Sequence, residues 1–127
     1  VDLHFLLGEA YEKGGRPERA AACYDRALRR SRDPRVCFYR PLIEEPLLRV
    51  VGQALAVSAG LEDARRDFGR VSRLDLKPGD KSVLHRRMAE ACLRLNEKGA
   101  ATDHLRIALE IRPDLKGVRR LREHLGL

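Results

Sequence analysis

"LLGEAYEKGGRPERAAACYDRAL", residues 6–28, decides the fold. Leu7, Gly8 and Tyr11 precede a Gly14-Gly15 break, and Ala20, Tyr24 and Ala27 follow it. Apolar residues at Leu3, Leu7, Ala10 and Tyr11 keep the helical period, so the segment before the glycines reads as an amphipathic helix. Pro17 suits the first turn of a second helix, where a missing N–H costs nothing. Small residues at Gly8 and Ala20 let two such helices approach closely, and Tyr24 fills the gap towards the next pair.

The pattern recurs. A shift of 44 residues lands on Val51, Gly52, Leu55, Ala64, Phe68 and Val71, and a shift of 81 on Met88, Ala89, Cys92, Ala101, Leu105 and Ala108. Pro34, Pro78 and Pro113 close the three windows. Leu84, Met88, Ala91, Cys92 and Leu95 repeat the helical period, and Gly60 and Asn96 punctuate the later pairs. Helices are predicted near residues 2–14, 17–31, 46–58, 61–74, 82–95 and 98–111. A seventh, over 114–126, carries Leu115, Val118, Leu121 and Leu125 on one stripe. An amphipathic terminal helix of this kind seals the last apolar face of a repeat array.

This spacing resembles the tetratricopeptide repeat, a helix–turn–helix unit of about 34 residues. Leu7, Gly8, Tyr11, Ala20, Tyr24, Ala27 and Pro34 carry the resemblance best, while His4, Leu48 and His85 stand where the family often has tryptophan. The implied fold is all-α: an antiparallel helix-hairpin solenoid forming a right-handed superhelix, with a C-terminal capping helix. The chain is expected to be one domain, with repeat 1 over 1–34, a connection over 35–45, repeat 2 over 46–78 and repeat 3 over 82–113. Pro41 and Pro46 argue against a continuous helix through the connection, which holds Phe38 and Tyr39, two of the six aromatics. Those aromatics either pad the seam between hairpins or form part of a partner site.

The 127-residue chain has 26 basic and 19 acidic residues and a net charge of +7; 21 of the basic residues are arginine. The excess favours an acidic partner, but the interleaving of signs is that of a solvated helix face. Cys23, Cys37 and Cys92 show neither the paired spacing of a secreted disulfide framework nor that of a zinc site, and are expected to be reduced packing residues. No apolar run is long enough to span a membrane and no signal peptide pattern opens the chain, so a cytoplasmic location is expected.

No catalytic constellation stands out. "PGDKS" at 78–82 departs from a phosphate loop, since Asp80 separates Gly79 from Lys81; it reads as a polar turn in which Asp80 or Ser82 caps the next helix. His85, Cys92 and His104 can approach one another but lack the ligand set of a metal site. Glu44 and Glu45 fit a helix N-terminus better than an acid–base pair. The chain is read as non-catalytic, with no metal and no cofactor.

In the family, the first helix of each hairpin lines a concave groove that receives a partner's peptide or helix. Transferred to this chain, the groove positions are Phe5, Glu9 and Glu12, then Arg49 and Gln53, then Arg86, Arg87, Glu90 and Arg94. Some members use lysines, asparagines and an arginine at such positions to clamp the acidic tail of heat-shock chaperones. Here Phe5, Glu9, Val50 and Val83 replace four of them and only Arg87 fits, so no chaperone-tail binding is expected. The resemblance implies a scaffold or adaptor binding a protein or peptide partner, with acidic residues in that partner a further expectation. Two alternatives stand beside it. One is a nucleic-acid-associated adaptor using a convex arginine stripe: Arg19, Arg26, Arg29 and Arg30; Arg65, Arg66, Arg70 and Arg73; Arg119, Arg120 and Arg122. The other is self-assembly through the apolar start of the first helix.

Overall fold

A computed structural model of the chain describes residues 3–30 and 40–127. Among them every regular element is an α-helix: α1 (Leu3–Lys13), α2 (Pro17–Arg30), α3 (Arg40–Val57), α4 (Leu61–Ser72), α5 (Pro78–Arg94), α6 (Lys98–Ile111) and α7 (Arg119–Leu125). The chain forms two compact units, Val1–Ala54 and Leu55–Leu127. Cys37, Phe38 and Tyr39 lie outside the described residues.

In the first unit α1 and α2 form a close hairpin. A Cβ added to Gly8 would meet the Tyr24 ring at 2.6 Å, so the glycine sets how near the two helices come. Ala20, Ala21, Tyr24 and Ala27 are buried on the facing side of α2. In the second unit α5 and α6 form the corresponding hairpin, in which Ala89 and Leu105 replace Gly8 and Tyr24 and share one apolar cluster. The smaller bulky residue leaves room for a Cβ on the partner helix.

The two hairpins also close their turns alike. Gly14 N–H bonds to Ala10 O at 3.0 Å, Gly15 N–H to Glu12 O at 3.2 Å and Arg16 N–H to Tyr11 O at 2.9 Å. Shifted by 81 residues, Leu95 bonds to Ala91 at 3.0 Å, Asn96 to Leu93 at 3.1 Å and Glu97 to Cys92 at 2.8 Å. Each closure needs one residue in the left-handed region, supplied by Gly15 (φ 73°) and Asn96 (φ 63°), residue types that enter it at least cost. After α3 the equivalent position is Ala59, which lacks that freedom, and side chains take over. Ser58 Oγ donates to Leu55 O at 3.0 Å, and Arg94 Nη2 lies 2.8 Å from Ser58 O and 3.2 Å from Leu55 O.

Three helix starts differ from the sequence expectation. α3 begins at Arg40 rather than 46 and passes through Pro46. Pro41 falls in the first turn, where its ring is tolerated. Pro46 removes an N–H that would have bonded to the carbonyl of Leu42, an exposed residue whose carbonyl water can serve. Ile43, Leu47, Val50, Val51 and Ala54 are all buried along α3, and their burial outweighs the proline's cost of roughly 3 kcal/mol. Because the helix starts early, Glu44 and Glu45 lie beyond its first turn and do not serve its N-terminus.

α5 begins at Pro78 rather than 82, with Lys77 extended at the N-cap. Residues 78–82 are thus helix, not a turn, and neither Asp80 nor Ser82 caps it; buried Ser82 donates Oγ to Gly79 O at 2.8 Å. The terminal helix is shorter than predicted, starting at Arg119, because Gly117 turns to φ 79°. Its apolar stripe is as expected: Val118 and Leu121 are buried against Ala89 and Leu105, with Leu115 and Leu125 beside them.

Candidate functional site

The first unit contains a cleft of about 600 Å³, lined by Phe5, Glu9, Glu12 and Lys13 of α1, Tyr24 of α2, and Glu45, Pro46 and Arg49 of α3. At its centre Glu12 joins three helices. Tyr24 OH donates to Glu12 Oε1 at 2.9 Å, while Arg49 donates from Nε to Oε2 at 2.7 Å and from Nη2 to Oε1 at 2.9 Å. The Arg49 hydrogen bond holds the Glu12 carboxyl below its ordinary range, with burial opposing and the tyrosine adding to the effect. Burial, then the hydrogen bond to Glu12, raises the Tyr24 hydroxyl well above its usual value. Arg49 keeps half of its side chain exposed, so the pair is worth about 1 kcal/mol at most; its larger effect is to fix the floor of the cleft. Phe5 packs its ring 5.5 Å from that of Tyr24, tilted by 50°.

The structure therefore brings together Phe5, Glu9, Glu12 and Arg49 of the predicted positions, and adds Lys13, Tyr24, Glu45 and Pro46. Tyr24 is legible in sequence as a wedge, and the rule that a buried tyrosine hydroxyl finds a partner is the signal for its second role. Gln53, from the same set, is exposed on α3 outside this cleft.

The α5 positions have their own surroundings in the second unit. Arg86 pairs with Glu90 at 3.3 Å and runs beneath the turn at Gly117, where an added Cβ would stand 2.5 Å from its Nη1. Arg94 holds the carbonyl end of α3, and Arg87 is exposed.

Also in the second unit, His85 and His104 meet with Nδ1 atoms 3.0 Å apart, so one nitrogen carries the proton and the other accepts it. Phe68 presents its edge contact to both rings, at 5.2 and 5.0 Å. Burial lowers the proton affinity of both imidazoles, His85 to about 4. Among the described residues no group of three His, Cys, Asp or Glu side chains is placed to hold a metal ion. Cys23 and Cys92 are free thiols, each with its pKa raised chiefly by burial.

Of the arginine stripe, Arg29 pairs with Asp25 at 3.4 Å, Arg66 with Asp63 at 3.0 Å, Arg70 with Asp67 at 3.6 Å and Arg119 with Glu123 at 3.4 Å. Such pairing within a helix lowers the charge available to a phosphate backbone. On α1, Leu3, Leu6 and Leu7 are exposed. No helix among the described residues is long and apolar enough to cross a membrane.

Residues 1–34 match the family model described as the tetratricopeptide repeat. No curated protein and no solved structure gives a significant match to the chain.

Proposed function

Residues 1–34 match the tetratricopeptide repeat, and since such repeats generally act as non-catalytic modules of protein–protein interaction, we propose that the cleft of the first unit receives a segment of a partner protein. One observation carries this reading: Phe5 lines a cleft of about 600 Å³ beside the fixed Tyr24–Glu12–Arg49 hub. An aromatic wall next to immobilised polar groups offers a partner apolar contact without the cost of ordering the receptor's side chains. The proposal concerns Phe5, Glu9, Glu12 and Arg49. Gln53, Arg86, Arg87, Glu90 and Arg94 remain proposed partner contacts on the family's pattern, although Arg86 and Arg94 also have structural work within their own unit.

Selection from a displayed library of random peptides of about a dozen residues tests the reading. Peptides retained by the wild type and released by Phe5→Ser, with helix content unchanged by circular dichroism, support it. Retention that is indifferent to Phe5→Ser overturns it.

Self-association is a second reading, favoured by the exposure of Leu3, Leu6 and Leu7 along one side of α1. Light scattering that rises in apparent mass with concentration for the wild type, and not for Leu3→Gln with Leu7→Gln, would establish it.

A further inference from the structure

The sign of the cleft's charge runs against that of the chain. The whole molecule carries +7, yet the cleft holds three carboxylates, Glu9, Glu12 and Glu45, against two cations, Lys13 and Arg49. Arg49 is already committed: its Nε and Nη2 both donate to Glu12, at 2.7 and 2.9 Å. An acidic partner would have to break that bidentate pair to engage the guanidinium, leaving the Glu12 carboxylate to repel it. Glu45 reaches Arg49 only through its charge, and Glu9 and Lys13 have no ion pair among the described residues, so the cleft keeps an acidic balance.

A second feature points the same way and is independent of the carboxylates. Phe5 lines the cleft with an aromatic ring, and an aromatic face attracts a guanidinium or ammonium group laid over it. Carboxylate and ring together define a site for a cation attached to an apolar stem. We propose that the partner segment presents an arginine or lysine beside an apolar side chain, its charge received by Glu9 and Glu45 and its stem lying against Phe5 and Pro46.

The surrounding charge gives the arrangement a use. Elsewhere the chain repels a basic segment, so the acidic cleft is where such a segment is admitted, and the contrast selects its place of binding. The inference rests on the proposal that this cleft binds a partner, and the test separates the two. Peptides selected by the wild type and released by Phe5→Ser are sequenced. Enrichment in arginine or lysine next to an apolar residue is expected, with about two- to fivefold weaker binding for each of Glu9→Gln and Glu45→Gln and a further fall with added salt. Phe5-dependent peptides enriched in aspartate or glutamate, or without charge preference, would overturn the basic partner while leaving the cleft as a binding site. Absence of Phe5-dependent peptides would overturn both.

Discussion

Gly8 and Tyr24 define the chain's packing at the level of single residues. A methyl group at position 8 has nowhere to go, because its place is 2.6 Å from a ring whose hydroxyl is tied to Glu12. Gly8→Ala gains roughly 1 kcal/mol of helix propensity and meets an overpacking cost of about 1–3 kcal/mol, so a net loss of about 1 kcal/mol is expected in denaturant unfolding. The second unit shows how the clash is relieved: its hairpin pairs Ala89 with Leu105. Tyr24→Leu in the Gly8→Ala background should therefore cost less than Tyr24→Leu does in the wild type. A double-mutant cycle should return a coupling of about 1 kcal/mol, whereas strict additivity would show that the ring and the glycine are not packed as described. This pair was legible in the sequence because its signal is local: a small residue and a bulky one at fixed spacing, recurring after 81 residues. The Glu12–Arg49 bond was not, since the partners stand 37 residues apart and each is an ordinary charged residue on a helix.

At the scale of elements, helix ends separate what a sequence states from what it hides. The turns after α1 and α5 were readable, because Gly15 and Asn96 are residue types that tolerate positive φ. Asn96→Ala should accordingly cost about 1–2 kcal/mol, and Asn96→Gly little, by thermal unfolding; equal effects would mean that the left-handed turn is not what Asn96 supplies. What holds the end of α3 was not readable, although its place was, one residue from the predicted 58. Nothing in the sequence pairs Arg94 with Ser58, yet Arg94 Nη2 lies 2.9 Å from Ser58 Oγ and 2.8 Å from its carbonyl. Arg94→Ala leaves those acceptors to water and should lower stability by about 1 kcal/mol, with Arg94→Lys recovering part of the loss. The starts of α3 and α5 were hidden for a related reason. A proline reads as a breaker until the burial around it is known, and Pro78 opens a helix while Pro46 is carried by the buried residues beside it. The candidate site inherited that error: with α3 taken to begin at 46, Glu45 fell outside the helix that brings it to the cleft.

Across the whole molecule the two units carry different titrating groups, so acid should act on them in different ranges. In the second unit burial lowers His85 from 6.5 to about 4, with repulsion from His104 and Lys81 adding to it. Burial lowers His104 as well, where Asp103 favours the proton and Arg65 opposes it. Each imidazole therefore binds protons more readily in the unfolded chain. The His85 contribution to stability is complete above 6.5 and is lost as pH falls towards about 4, and His104 acts in the same sense. Asp67 works in the opposite sense, since burial raises its carboxyl above 3.8, and its proton uptake offsets part of the loss at the acid end. In the first unit the titrating contact is Glu12, held below 4.5 by Arg49, whose contribution persists until the pH falls beneath that value. Amide hydrogen exchange followed down from neutral pH should show protection falling first in α5 and α6, with α1 and α2 retaining theirs until Glu12 takes up its proton. His85→Gln with His104→Gln should flatten the early loss, because no imidazole then changes its charge on unfolding in that helix pair. An unchanged slope in the double variant, or α1 and α2 opening first, would show that the paired imidazoles do not set the acid limit of the second unit.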